Sequence, residues 1–208
     1  MQTEKIKVSN NGTGMDEARE LTQKTADLIG LKGKDNFHFC LLSEEMLSMI
    51  SAMVGDFEAY FWIKEENKKC EFHLDAESKV DYAKKRELIS VATNKKNAFS
   101  MGIMEKIREM TEGFLYDVEE SFKFQSEYGT GILDYGTLGM TGSEISSAVY
   151  SWSMQKYKES LRNNENENDE TVSEAWDELE KSIIANIADD VQVGIKNNMI
   201  SIVILKKF

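Results

Sequence analysis

At 208 residues, with 41% apolar and 30% charged residues, the chain has the size and composition of one globular domain with a sizeable core. Its net charge of −12 repels phosphate backbones and anionic lipid surfaces, and its basic runs, Lys84-Lys85-Arg86 and Lys95-Lys96, are diluted by neighbouring acids. There is no run of about 18 apolar residues, so neither nucleic-acid binding nor a membrane span is expected. The polar start Met1-Gln2-Thr3-Glu4-Lys5-Ile6 lacks a secretory apolar stretch, and the two cysteines, Cys40 and Cys70, make no disulfide framework, which points to the cytoplasm.

Ile6-Lys7-Val8 alternates as an opening strand, and Asn10-Asn11-Gly12-Thr13-Gly14 ends it with turn residues. Asp16 is the expected N-cap of a helix carrying Ala18, Leu21, Thr25, Leu28 and Ile29 on one face, which Gly30 and Gly33 stop. A second helix is expected over 35–53, with Phe37, Leu41, Leu42, Glu45, Met49 and Met53 at helical spacing. The period then changes: Ala59 to Ile63 and Cys70 to Leu74 read as a hairpin about the polar turn 64–69.

Residues 82–121 look helical, with Ile103, Ile107, Met110, Phe114 and Val118 on one stripe, and 122–142 hold Gly129, Gly131, Gly136, Gly139 and Gly142. A helix with Ile145, Val149 and Trp152 is expected next, then a mobile acidic loop at 162–172. Trp176, Leu179, Ile183 and Ile187 restore a helix, and Val191–Ile195 with Met199–Leu205 close the chain as a hairpin. No internal repeat is visible. The expected architecture is one domain over 1–208, an α/β (α+β) two-layer sandwich. A mixed or antiparallel sheet carries helices on one face, and 82–172 forms an insertion or lid-like middle.

This order resembles the ATP-binding domain shared by DNA gyrase, histidine kinases and MutL, a histidine kinase-like ATPase (Bergerat-type, GHKL) fold. In pattern the chain is most similar to the anti-sigma-factor serine kinases. The resemblance covers roughly 1–80 and 180–208. In that family the second helix carries a glutamate and, four residues on, an asparagine on the same face, which serve catalysis and the magnesium. Glu45 matches the glutamate, while Met49 occupies the asparagine position with a thioether unsuited to a hard cation. The family's Asp-x-Gly-x-Gly after the hairpin, whose aspartate accepts from the adenine amino group, is answered by Asp75-Ala76-Glu77-Ser78-Lys79, with both glycines gone. Gly129 and Gly131 of Tyr128-Gly129-Thr130-Gly131 stand in for the phosphate-cradling stretch. The resemblance implies ATP or ADP with Mg2+ as ligand, bound weakly or not at all, and Glu45 as base if the site were active.

His38, Cys40, Cys70 and His73 invite a zinc reading, but strand parity sends Cys70 and His73 to opposite faces, and two helical steps set His38 and Cys40 about 200° apart. No Gly-x-Ser-x-Gly turn supports a serine nucleophile. The expectation is therefore a regulatory protein with an eroded nucleotide site, working through a protein partner or self-association by its Met-rich helices. The alternatives are an active ATP-dependent serine kinase or ATPase, and a non-nucleotide α+β interaction scaffold.

Overall fold

The structure, a computed structural model, describes residues 1–53, 57–78, 150–164, 170–196 and 199–208. The expected helix over 82–121 and the glycines Gly129 and Gly131 lie outside these. In chain order the elements are β1 (Ile6–Ser9), α1 (Met15–Leu28), α2 (Lys34–Met53), β2 (Phe57–Glu66), β3 (Lys69–Ser78) and β4 (Tyr150–Ser153). They continue with α3 (Met154–Asn164), α4 (Glu170–Lys181), α5 (Ile183–Ile187), β5 (Asp190–Lys196) and β6 (Met199–Lys207). The architecture is α+β: the six strands form one sheet in the order β1-β2-β3-β6-β5-β4, every neighbouring pair antiparallel.

Period-2 alternation fixes which side of this sheet holds the core. Phe57, Ala59, Phe61 and Ile63 of β2, Cys70, Phe72, Leu74 and Ala76 of β3, and Ile200, Ile202 and Ile204 of β6 all bury on one face. Against them pack Phe39, Leu42, Met46 and Leu47 of α2, with Tyr157, Leu161, Leu179 and Ile184 from the later helices, in one continuous cluster. The Phe39 ring lies 4.7 Å from Phe72 and 5.6 Å from Phe208, so the last residue closes the core beside α2. Thr22 of α1 and Ser43 of α2 share a buried 2.8 Å hydrogen bond where the two helices meet.

Several local expectations are corrected. The helix-facing stripe of α2 runs through Phe39, Leu42, Ser43, Met46 and Leu47; Phe37 is 62% exposed. On α1, Thr22 and Ala26 are buried in place of Leu28, which is 76% exposed. Small residues face inward here because α1 and α2 approach closely, and bulk is pushed to the outside. The cap of α1 is Gly14, not Asp16, which sits in the first turn and pairs with Arg19 at 2.8 Å. At its other end the Leu31 amide donates to Ala26 O and the Gly30 amide to Asp27 O, a Schellman closure that requires the positive φ of 76° at Gly30.

Trp152 belongs to strand β4, not to a helix. Its alternation with Ser153 turns the indole inward, against Tyr157, while Ser153 faces the other side. Helices α3 and α4 extend into the stretch expected as loop, reaching Asn164 and starting at Glu170, and Ser182 divides the last helical stretch into α4 and α5. Both hairpins are longer than expected; in the first, β2 and β3 close on the two residues Asn67 and Lys68, both at positive φ.

A repeat hidden in the sequence emerges from the topology. Among the described residues, strand, helices and hairpin occur twice, as β1-α1-α2-β2-β3 and as β4-α3-α4-α5-β5-β6. The halves meet antiparallel through β3 and β6, at whose middle His73 pairs with Val203. The step from Lys69 to His73 equals that from Met199 to Val203 (four residues each), so this pair marks a pseudo-two-fold centre.

Asp190 secures the second half. Its buried carboxylate accepts from Ser153 Oγ (3.1 Å), the Gln155 amide (2.9 Å), the Val191 amide (2.9 Å) and Gln192 Nε2 (3.0 Å). It thereby ties the start of α3 to the start of β5. Replacing Asp190 by Ala leaves these donors without an acceptor, and we expect a loss of about 2–4 kcal/mol, read from the urea midpoint. Gly14→Ala is expected to cost about 3 kcal/mol or more in the same assay: a Cβ there would stand 1.9 Å from the Lys7 carbonyl oxygen, on a backbone at φ 75°.

Candidate functional site

Glu45 lies midway along α2, half-buried, and burial followed by the adjacent Glu44 raises its carboxyl above the ordinary range. Glu44 itself is engaged by Arg19 of α1, Nε to Oε1 at 2.7 Å. Met49 follows on the same helix. All of this stands on the side of the sheet that carries α1 and α2.

Asp75 stands on the other side. The residues of β3 that face α2 are Cys70, Phe72, Leu74 and Ala76, so parity sends Asp75 through the sheet. There Ser201 Oγ of β6 donates to Asp75 Oδ1 at 2.7 Å. The helix-facing position near the end of β3 is held by Ala76, which has no group to offer an adenine amine. The structure therefore does not bring Glu45 and Asp75 to a common cavity. Sequence spacing located Asp75 near the strand end but did not fix the strand's parity. The signal was available in the apolar positions Phe72 and Leu74, which share a face with Ala76 and exclude Asp75.

The face that holds Asp75 carries a cluster that sequence reasoning missed. Registers place Trp62 beside His73, and His73 beside Val203. The indole and imidazole stack with centroids 4.8 Å apart and planes within 8°. Trp62 is 0% and His73 4% exposed. On the ring of Trp62, Lys5 places its ammonium 3.8 Å from the centroid. His73 Nε2 lies 3.1 Å from Glu71 Oε2, and this contact, with the charge it brings, holds the Glu71 carboxyl below the ordinary range. Lys69 adds a 3.5 Å contact to Glu71. The stabilisation from Glu71 is thus present above the ordinary glutamate range and lost as pH falls through its lowered value. The sequence trace of this cluster is Trp62 itself: an aromatic at the alternate position of a strand whose other parity is already apolar indicates cover on both faces.

Cys70 and His73 point to opposite sides of the sheet, as their spacing predicts, and Cys40 sits apart on α2, its Sγ 3.3 Å from Gln23 Oε1. Burial pushes the Cys70 thiol up to about 12, leaving almost no thiolate at neutral pH. With a soluble disulfide reagent at pH 8, Cys40 is expected to react first, and Cys70 only at the rate of global unfolding. Mass mapping of the modified cysteine over time checks this order.

Comparison of the whole chain with protein-family models, with curated proteins and with solved structures gives no match.

Proposed function

We propose that this chain is a regulatory protein that acts by binding protein partners, on a scaffold resembling the histidine kinase-like ATP-binding domain but without a working magnesium-nucleotide site. One observation carries the reading: the two carboxylates that such a site needs together, Glu45 and Asp75, are separated by the thickness of the sheet. Two further features support it. Met49 stands where a hard oxygen ligand would be required. Ala76 is the inward residue near the end of β3, and the core between α2 and the sheet is packed with Phe39, Leu42, Met46 and Phe72.

A role in protein contacts is favoured by the corner between α1 and α2. Leu28 and Phe37, both large, apolar and mostly exposed, flank the turn built on Gly30 and Gly33. Met46, by contrast, is consumed by the core, which limits what the methionines of α2 offer for self-association. Among the described residues no helix is long and apolar enough to cross a membrane.

The test is calorimetry of the full chain with Mg-ATP and Mg-ADP. The expected result is no saturable binding up to about 1 mM nucleotide. Micromolar binding that disappears in Asp75→Asn, or phosphate release that collapses in Glu45→Gln, would overturn the reading in favour of an active ATPase or kinase.

A further inference from the structure

The row across the sheet at Trp62 gathers donors without acceptors. Lys5 stands one residue ahead of β1, and the registers place it beside Trp62, and Trp62 beside His73. The indole is held between the Lys5 ammonium, 3.8 Å from its centroid, and the His73 ring, stacked at 4.8 Å with planes within 8°. A second ammonium, that of Lys64, lies 6.0 Å from the same centroid. The indole N–H itself is the anomaly: Trp62 is 0% exposed, and its Nε1 has no hydrogen-bond partner in the protein. Buried polar groups are nearly always paired, because an unpaired one gives up its hydration with nothing in return.

The charges around the ring are one-sided as well. Among the described residues neither Lys5 nor Lys64 makes an ion pair with a carboxylate. The acids that flank His73 on this face are engaged by other groups. Glu71, the cross-strand neighbour of Lys64, meets His73 Nε2 at 3.1 Å and Lys69 at 3.5 Å, and Asp75 accepts from Ser201 at 2.7 Å. Two cations and an unpaired N–H therefore share one aromatic ring, in a chain whose net charge is −12. An ammonium on the π-face also draws electron density from the indole and strengthens its N–H as a donor. Trp176 makes the contrast: its Nε1 is likewise buried without a partner, but among the described residues a single cation, Arg162, stands 6.0 Å from its ring.

We propose that Trp62, Lys5 and Lys64 form a binding site for a carboxylate, in which a ligand oxygen accepts from the indole N–H and the two ammoniums balance its charge. Charge-assisted hydrogen bonds are the ones strong enough to hold so small a group. A monoanion suits the site better than a dianion, because Glu71 and Asp75 on the same face repel a second negative charge. Lys5 is exposed and Lys64 half-buried, which gives the ligand an approach from solvent. The site stands on the face of the sheet opposite α2 and Glu45, so it does not depend on whether the chain binds a nucleotide.

The test follows the indole N–H signals of the isotope-labelled full chain by NMR at about pH 7 while sodium acetate is added, with sodium chloride lowered to hold the ionic strength constant. Trp62→Phe identifies the Trp62 signal. The expected result is a saturable downfield displacement of that signal, half-maximal at about 1–10 mM acetate, with the Trp152 and Trp176 signals stationary. Lys5→Met and Lys64→Met are each expected to weaken binding about fivefold or more, and Lys5→Arg to retain it. Both lysines lie outside the core cluster, so these variants stay informative about the site. A Trp62 signal that ignores acetate, a displacement undiminished in Lys5→Met and Lys64→Met, or tighter binding of inorganic phosphate than of acetate at matched ionic strength would overturn the proposal.

Discussion

The pairing of β3 with β6 is the constraint on which the rest of the structure depends. It joins segments far apart in the chain, from Lys69 with Lys207 to Glu77 with Met199, at the centre of the sheet. Closing so large a loop is entropically unfavourable, and it holds because both strands present unbroken apolar faces: Cys70, Phe72, Leu74 and Ala76 beside Ile200, Ile202 and Ile204. Helix α2 lies across this seam, and Phe39 touches both Phe72 and the terminal Phe208. Without the seam, neither hairpin has a second side to its core.

The same seam relates the two halves. Each contributes a strand, helices and a hairpin, and the pseudo-two-fold centre falls between His73 and Val203. The halves keep topology while their chemistry differs. One has the long β2–β3 hairpin with its Trp62–His73 stack; the other has the buried Asp190 cap and a four-residue edge strand. A repeat of backbone pattern needs only matching periods and turns, and these survive extensive replacement of side chains. That is why inspection of the residues showed no repeat.

The seam also sets the direction of the acid near the end of β3. A two-residue period means that a carboxylate one position out of phase stands on the far side of a layer. Asp75 is in that position: it accepts from Ser201 on the opposite face of the sheet, while Ala76 faces α2. The local string resembles a family motif, but side-chain direction belongs to the strand's pairing, not to its spelling. That opposite face carries a polar and aromatic layer of its own, in which Ser201 bonds Asp75, His73 contacts Glu71 and the Trp62 ring stacks on His73.

By itself the sequence determined the element types wherever a period was strong. The opening strand at Ile6, the two long early helices and the two hairpins were legible because apolar spacing and turn residues act locally. The opposite directions of Cys70 and His73 were legible for the same reason, since parity along one strand needs no partner. Only the tertiary structure decided which stripe of a helix is buried, as Phe39 over Phe37 shows: Phe37 and Phe39 differ by two residues, and their burial is set by where α1 and the sheet stand. Tertiary pairing likewise turned Trp152 into a strand residue and gathered Lys5, Trp62 and His73 into one row. These outcomes depend on contacts between segments far apart in the chain, and no local spacing carries that information.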